Sequence, residues 1–238
     1  MDVFRGTAWY YARYRPGYPA ALIEGLAEAA GLGPESRVLD VACGTGPIAV
    51  PLASHVGEVV AIDREPEMLD ELRATAPANV TVREADASTV DASLGAFELV
   101  TIGRALHWLG GDSYLERLEP LTAQVALLGD RISDSEAFST VLAVAEELTG
   151  GRPQAPAMLV GYESALRRSV FSEITNLSVE DERTWTRDSL VGWAFSTSFA
   201  SRERLGARHD EFERELRSRL RPRYVERVPV DALLGRRP

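Results

Sequence analysis

The sequence predicts an α/β protein built on a mostly parallel sheet. Short apolar segments alternate with amphipathic segments, which is the pattern of strands joined by crossover helices. A glycine-rich turn follows the first of these strands, and acidic residues stand near the ends of three successive strands. With 238 residues, the chain is long enough for helices to cover both faces of a sheet.

The first half of the chain shows this alternation most clearly. Pro16, Gly17 and Pro19 interrupt the opening segment, and a helix is predicted after them over 20–30. Apolar runs predict strands over 37–42, 58–63, 79–84, 97–103 and 123–128. The intervening segments predict helices over 47–55, 65–75 and 112–121, the last with Asp112 as its N-cap. Right-handed crossovers between such strands give a parallel sheet.

The second half is less regular. A helix is predicted over 135–148, and a Gly/Pro-rich loop over 150–156. Two further strands are expected to pair in antiparallel fashion, with helices between them; the strands are 174–186 and 224–234, and the helices 187–199 and 208–220. No linker is evident, so we expect one domain over 1–238, divided into a lid and helix (1–36), a core (37–130) and a cap with C-terminal strands (131–238).

Composition excludes several classes of protein. The net charge is -10 and no basic stripe is evident, which argues against a nucleic-acid partner. No segment approaches the roughly 20 apolar residues of a membrane span, and no signal peptide is recognisable, so we expect a cytoplasmic protein. The one cysteine, Cys43, cannot form an intrachain disulfide. We expect no metal site and a monomer or homodimer.

The turn after the first strand is the most informative segment. The run 38–46 (VLDVACGTG) places Asp40 before Gly44 and Gly46, and such glycines let a ligand approach the backbone closely. A carboxylate at Asp40 would repel a pyrophosphate and suits a ligand with an ammonium group. The spacing is not that of a dinucleotide site, and the chain has no lysine for a P-loop.

This turn resembles the first motif of class I S-adenosylmethionine-dependent methyltransferases, of the small-molecule, type 11-like branch. The resemblance implies a Rossmann-like seven-stranded methyltransferase sheet flanked by helices, with an N-terminal lid and inserted helices over the site. It implies S-adenosylmethionine as cofactor, with S-adenosylhomocysteine as product, held in part by Asp40, Ala42, Gly44 and Gly46. Many members have glycine where this chain has Ala42, a departure that costs little if Ala42 takes ordinary backbone angles.

Two further acids match the family at the ends of the next strands. The resemblance implies that Asp63 accepts hydrogen bonds from the ribose hydroxyls and that Asp86 and the N–H of Ala87 contact the adenine; Arg64 is assigned to the same site. Met68 is expected either near the adenine or in the core. The alternatives for Asp63 are an exposed strand-end acid or a helix cap, and the alternative for Asp86 is an Asx-turn.

The segment after the fourth strand resembles the His-Trp signature of small-molecule methyltransferases. His107 is the candidate general base, because an unperturbed imidazole accepts a proton near neutral pH. The alternative is a structural histidine bonded to a loop carbonyl. Trp108 is assigned to the substrate or cofactor, or else to the core, and Arg104 to the cofactor.

The aromatic N-terminal segment matches the family's Y-x-x-x-R-P-x-Y-P pattern, which closes over the cofactor. Tyr14 and Arg15 are expected to meet the cofactor carboxylate, and Tyr10 and Tyr11 to line the substrate pocket. The alternative is an arm packed on the sheet edge. Three aromatic residues of the tail are expected in the core rather than in the pocket, namely Trp193, Phe195 and Phe199.

The function implied by the resemblance is methyl transfer to an O or N nucleophile of a small molecule. The expected acceptor is a specialised metabolite, such as an antibiotic intermediate or an aminoglycoside amine. The alternative is a cofactor-binding, methyltransferase-like protein with a non-methylating role, such as cyclisation. An NAD-dependent oxidoreductase is opposed by Asp40 and by the spacing of the glycines.

Overall fold

A computed structural model describes residues 4–132, 135–150 and 160–238. Contacts divide the chain into two compact units. We call Gly17–Asp130, Pro156–Val179 and Val230–Pro238 the core unit, and Met1–Pro16, Arg131–Ala155 and Glu180–Pro229 the helical unit. Among the described residues, no helix is both long and apolar enough to cross a membrane.

The sheet has seven strands in the order β3-β2-β1-β4-β5-β7-β6. The strands are β1 (Arg37–Val41), β2 (Glu58–Asp63), β3 (Val80–Glu84), β4 (Leu99–Gly103), β5 (Gln124–Asp130), β6 (Glu173–Thr186) and β7 (Arg223–Arg236). The first five strands are parallel to one another, and β7 runs antiparallel to β5. The predicted α/β class, and the adjacency of β6 and β7, are therefore confirmed.

Helices cover both faces of the sheet in the core unit. Side chains alternate between the faces, so that Val38 packs in one core cluster and Leu39 in the other. The first cluster is completed by α2 (Ala20–Ala29), α3 (Ala49–Leu52) and α4 (Pro66–Arg73), and the second by α5 (Asp112–Leu118) and α7 (Val160–Arg168). This burial on both faces explains why β1, β2 and β4 read as continuous apolar runs.

The helical unit contains the remaining helices. They are α1 (Ala8–Tyr14), α6 (Glu136–Thr149), α8 (Arg187–Phe195), α9 (Arg202–Leu205) and α10 (His209–Arg219). A capping box starts α8, in which Thr186 and Ser189 each bond the backbone N–H of the other. Aromatic contacts fill the interior of the unit, with ring centroids 5.5 Å apart for Phe138 and Trp193 and 5.8 Å apart for Phe195 and Phe212.

Several predicted boundaries were wrong. The helix predicted over 47–55 is α3 followed by a 3-10 turn over Ala53–His55. The helix predicted over 187–199 ends at Phe195, where the Ser196 and Thr197 hydroxyls donate to carbonyls of the last turn. Asp112 is the first residue of α5, and Gly111 is its N-cap. Residues 151–156 of the predicted loop lie outside the described residues.

The N-terminal helix packs closely on α8. A Cβ built on Gly192 would lie 2.3–2.5 Å from ring atoms of Tyr14, so this contact requires glycine. The Tyr10 ring lies 5.3 Å from that of Phe195, and Arg202 donates to the Tyr10 hydroxyl over 3.3 Å. The aromatic segment therefore forms a helix that packs against α8 within the helical unit.

Replacing Gly192 by alanine should force Tyr14 from its place. We expect the free energy of unfolding to fall by about 1–3 kcal/mol, as for other overpacked sites. Gly161→Ala is the matched control, because Gly161 lies in α7 with nothing within 4 Å of a built Cβ. Chemical denaturation of both variants measures the difference; equal stability of the two would contradict the packing of α1 on α8.

Candidate functional site

The carboxyl ends of β1, β2 and β4 meet at one edge of the sheet. Val41 is in register with both Ile62 and Ile102, so the loops that follow these three strands are neighbours. In open α/β sheets, ligands bind at this edge, where the strand order reverses. Here the order reverses between β1 and β4.

The turn after β1 has a left-handed backbone at three positions. The φ angles are 54° at Ala42, 55° at Gly44 and 82° at Gly46. A Cβ on Gly46 would also lie 2.3 Å from Leu72 Cδ1, so both geometry and packing require glycine there. The sequence analysis expected alanine to cost little at position 42 if its backbone angles were ordinary. With a φ of 54° they are not, so alanine is strained at this position.

Asp40 is buried, with 1% of its surface exposed. Its Oδ1 accepts a hydrogen bond from the Thr101 hydroxyl at 2.8 Å, and its Oδ2 accepts one from the backbone N–H of Ala49 at 3.2 Å. Burial raises the pKa of Asp40 to about 7, although these two hydrogen bonds oppose the shift. The carboxyl thus ties β1 to β4 and to the start of α3, and its contact with a ligand ammonium stays a prediction.

Asp63 holds the glycine turn from the neighbouring strand. Its Oδ2 accepts from the backbone N–H of Gly44 at 2.8 Å, and its Oδ1 accepts from that of Glu65 at 2.9 Å. Burial raises the pKa of Asp63, and these backbone bonds lower it. Glu65, rather than Asp63, is the N-cap of α4, so Asp63 does not act as the helix cap that was one alternative; the ribose role stays a prediction.

The residues assigned to the adenine lie at the end of β3. Asp86 Oδ1 accepts from the N–H of Ser88 at 2.9 Å, the Asx-turn that was its alternative, and the bonds to Ser88 lower the pKa of Asp86. Its Oδ2 lies 3.9 Å from Arg64 Nη1. Met68 is buried, and the carbonyl of Ala87 accepts from the Tyr114 hydroxyl at 3.1 Å. The exposed Asp86 carboxylate can accept a further hydrogen bond.

Arg104 follows β4 and is the second residue other than glycine with a positive φ, at 54°, among the described residues. Its guanidinium is buried, lies 3.3 Å from the Asp130 carboxylate and stacks over the Tyr18 ring at 4.5 Å. Its backbone N–H donates to the carbonyl of Leu128 at 2.9 Å. These contacts give Arg104 a structural role between β4 and β5, and the cofactor contact stays a prediction.

His107 lies in a 3-10 turn over Leu106–Trp108. Its Nδ1 is 2.9 Å from the hydroxyl oxygen of Tyr162 on α7. A structural histidine bonded to a loop carbonyl was the alternative to a general base. The observed partner of Nδ1 is the Tyr162 hydroxyl rather than a carbonyl. Partial burial lowers the pKa of His107. Trp108 is 51% exposed, which excludes its placement in the core.

The N-terminal residues assigned to the site belong to the helical unit. Tyr10 and Tyr14 stack at 6.3 Å, and the Arg15 guanidinium lies 5.3 Å above the Tyr11 ring and 5.6 Å from that of Trp193. Trp193, Phe195 and Phe199 are buried, as expected for core residues. The roles of the four N-terminal residues toward cofactor and substrate stay predictions.

The core unit therefore brings together most of the residues that the sequence singled out. It also adds Thr101, Tyr114 and Tyr162, which sequence reasoning did not identify. Thr101 is directly opposite Asp40 in the register of β1 and β4, which an inspection of paired strands could have found. Tyr162 lies 55 residues from His107, and no local pattern relates the two.

Comparison with known proteins agrees with this geometry. Residues 38–123, from β1 to the start of β5, match the family model of the methyltransferase domain. This segment of the chain is therefore similar to a methyltransferase domain. The matched segment includes the glycine turn, the acids after β2 and β3, and the His107 turn.

Curated proteins are similar to the chain over part of its length. An uncharacterized methyltransferase of Mycobacterium tuberculosis is 35% identical over 129 residues, 54% of this chain and 49% of that protein. An uncharacterized methyltransferase-like protein of Schizosaccharomyces pombe is 29% identical over 119 residues, 50% of this chain and 46% of its own. The chain thus spans about half the length of the curated relatives it matches.

A solved structure extends the likeness in fold. The S-adenosylmethionine-dependent methyltransferase from Thiobacillus denitrificans, determined in complex with S-adenosyl-L-homocysteine, aligns with a TM-score of 0.59 at 14% identity, covering 100% of this chain and 99% of that one. At this identity the match supports the fold alone: a seven-stranded sheet flanked by helices.

The strain at Ala42 predicts a stabilising substitution. Glycine has no Cβ penalty at a φ of 54°, so Ala42→Gly should raise the free energy of unfolding by about 1 kcal/mol and the Tm by about 2–4 °C. Ala105→Gly is the control at the end of β4, where φ is -127° and glycine should instead destabilise. A thermal melt measures both; a lower Tm for Ala42→Gly would disprove the strain.

The raised pKa of Asp40 predicts how stability depends on pH. The folded state keeps the proton between the unfolded pKa of 3.8 and the folded value of about 7, so stability falls as pH rises through this window. Asp40→Asn removes the ionisation, and asparagine can still accept from Ala49 N–H and donate to the Thr101 hydroxyl. Its stability relative to the parent should therefore rise by on the order of 4 kcal/mol between about pH 4 and pH 8.

Urea titrations at a series of pH values measure this difference. Asp91→Asn is the control, because the pKa of this exposed carboxylate is lowered by its bonds to Ser93, and its effect on stability should be confined to pH values near and below 4. Parallel pH curves for the parent and Asp40→Asn would show that Asp40 is ionised throughout.

Proposed function

We propose that this chain is an S-adenosylmethionine-dependent enzyme that methylates an O or N nucleophile of a small molecule. One observation supports this most strongly. The glycine turn after β1 and the carboxylates at Asp63 and Asp86 lie at the switch-point edge of a sheet with the family's strand order, within the segment that matches the methyltransferase domain.

The donor set at this edge fits the cofactor. The Asp63 carboxylate is half-buried beside the turn and supplies acceptors for two vicinal hydroxyls. Asp86 supplies an exposed acceptor for an exocyclic amine, with the N–H of Ala87 as donor beside it. The left-handed turn at Gly44 and Gly46 allows the methionyl part to approach the backbone closely. S-adenosylhomocysteine would occupy the same contacts after transfer.

The cofactor supplies an electrophilic methyl group, and the protein supplies orientation and the exclusion of water. Alignment of acceptor and methyl group accounts for about 7–11 kcal/mol of the barrier in well-oriented systems. Arg104, His107 and Trp108 follow β4, next to β1 at the switch point, and are the core unit's candidates for contact with the acceptor or cofactor. Tyr10, Tyr11, Tyr14 and Arg15 are the helical unit's candidates.

The acceptor is proposed as a specialised metabolite, such as an antibiotic intermediate, in a cytoplasmic enzyme. The net charge of -10 suits an aminoglycoside amine and does not contradict a carboxylate or a hydroxyl acceptor. The alternative function retains the same cofactor contacts and catalyses a reaction other than methylation, such as cyclisation. Both share the cofactor, so cofactor binding is the first property to test.

Cofactor binding should raise thermal stability. At about 100 times its Kd, either adenosyl ligand adds roughly 2.7 kcal/mol, which corresponds to about 5–10 °C in Tm at this chain length, and NAD should add nothing. Asp63→Ala should weaken binding at least about tenfold, because hydrogen bonds to a charged group are lost. Glu58→Ala is the control, since Glu58 pairs with Arg37 at the other end of the same strand.

Differential scanning fluorimetry with each ligand measures these shifts, each variant being compared with its own unliganded Tm. A shift with NAD alone, or unchanged affinity in Asp63→Ala, would contradict the proposal.

A further inference from the structure

We propose that Tyr162 is a positioning residue that holds His107 with its proton on Nε2, so that His107 donates a hydrogen bond to an acceptor that arrives already ionised, as a carboxylate. This inference deepens the proposed function and rests on it for the identity of the reaction. The hydrogen bond between the two side chains is the observation that supports it.

The geometry joins two otherwise separate elements. The hydroxyl oxygen of Tyr162 is 2.9 Å from His107 Nδ1, and the two rings are nearly parallel, with centroids 6.4 Å apart and an angle of 20° between their planes. Tyr162 is only 4% exposed and packs in the second core cluster with Leu106 and Leu115. Its hydroxyl is therefore fixed by the core, and the exposed His107 ring must adapt to it.

The direction of this hydrogen bond follows from the surroundings of the phenol. Burial raises the pKa of Tyr162 to about 12, so the hydroxyl keeps its proton near neutral pH. Interactions with the backbone of His107 and Leu106 and with the Arg104 cation lower the pKa of this phenol, but by less than burial raises it. A buried hydroxyl proton needs an acceptor, and among the described residues His107 Nδ1 lies within hydrogen-bond distance of it, so the proton is best placed toward Nδ1.

The protonation of His107 then follows. Partial burial lowers its pKa, so the ring is neutral at neutral pH and carries one proton. Because Nδ1 accepts from Tyr162, that proton is on Nε2. A nitrogen that already holds its proton cannot accept another from a substrate, so this arrangement differs from the general-base role that the sequence suggested.

A hydrogen-bond donor at His107 Nε2 discriminates among the groups that could receive the methyl. Alcohols and ammonium groups must lose a proton on methylation, whereas a carboxylate is already ionised at neutral pH. Its oxygen forms the bond to the methyl carbon, the electron pair of the broken carbon–sulfur bond stays on sulfur, and no proton is released. Nε2–H bonds to the other carboxylate oxygen and orients it. The product is a methyl ester.

Nitrogen NMR of the imidazole rings tests the tautomer without any turnover. The chain has three histidines, and His107→Gln identifies the signals of His107. We expect an unprotonated Nδ1 and a protonated Nε2 at pH 7.5. A protonated Nδ1 in the parent chain would overturn the proposal.

Tyr162→Phe should remove the preference of His107 for the tautomer with its proton on Nε2. We expect the tautomer ratio to shift about fivefold toward Nδ1–H, the equivalent of one net hydrogen bond, and the pKa of His107 to rise because the neutral form loses a donor. Tyr224→Phe is the control, since its buried hydroxyl accepts from the backbone N–H of Arg221 in the helical unit. An unchanged ratio in Tyr162→Phe would also overturn the proposal.

The acceptor class is tested by titrating the protein with benzoate, benzylamine and benzyl alcohol in the presence of S-adenosylhomocysteine. Of the three compounds, we expect benzoate alone to shift the Nε2 signal of His107. This response should be lost in Tyr162→Phe and kept in Tyr224→Phe. A response to the amine or alcohol, or to none of the three, overturns the carboxylate assignment. Failure of the cofactor to bind in the thermal assay would instead refute the proposed function and leave the tautomer result standing.

Discussion

The buried carboxyl of Asp40 is the contact on which the rest of the site depends. It accepts hydrogen bonds from Thr101 on β4 and from the first residue of α3, and thereby joins the two strands at the switch point to the helix that leaves the glycine turn. A buried carboxyl is tolerated only when its oxygens are bonded, and here burial still raises its pKa to about 7. The glycine turn after β1 is thus stabilised by the Asp40 carboxyl, whose pKa of about 7 leaves it partly protonated near neutral pH.

A second constraint lies in the backbone at the ends of the two central strands. Ala42 after β1 and Arg104 after β4 both have φ of 54°, in a region that residues other than glycine rarely occupy. The backbone N–H of Arg104 bonds to Leu128, and its side chain is fixed by Asp130 and Tyr18, so the surroundings determine this conformation. Backbone strain of this kind concentrates at ligand sites. Here it lies where the chain turns sharply after β1 and after β4.

The sheet and the candidate site at its edge could be predicted because their signals are local. Strands buried on both faces appear as apolar runs, and the acids that end them stand at fixed places in those runs, as Asp63 does in β2. Helix α1 was missed because its seven residues are aromatic and arginine-rich with one buried residue, Ala8, so they show no apolar periodicity. The end of α8 was misplaced because Ser196 and Thr197 stop it through side-chain bonds rather than through glycine or proline.

The role of His107 was beyond sequence analysis for a different reason. The sequence identifies the imidazole, but which nitrogen carries the proton depends on a hydroxyl that α7 brings from 55 residues away. The proposed cofactor contacts lie in short loops at strand ends, so the sequence shows each of them within one segment. Contacts that choose the acceptor come from elements added around the sheet, and a single buried tyrosine there is enough to change a histidine from a proton acceptor into a hydrogen-bond donor. Chains that share the glycine turn and the strand-end acids can therefore differ in chemistry without any change in those motifs.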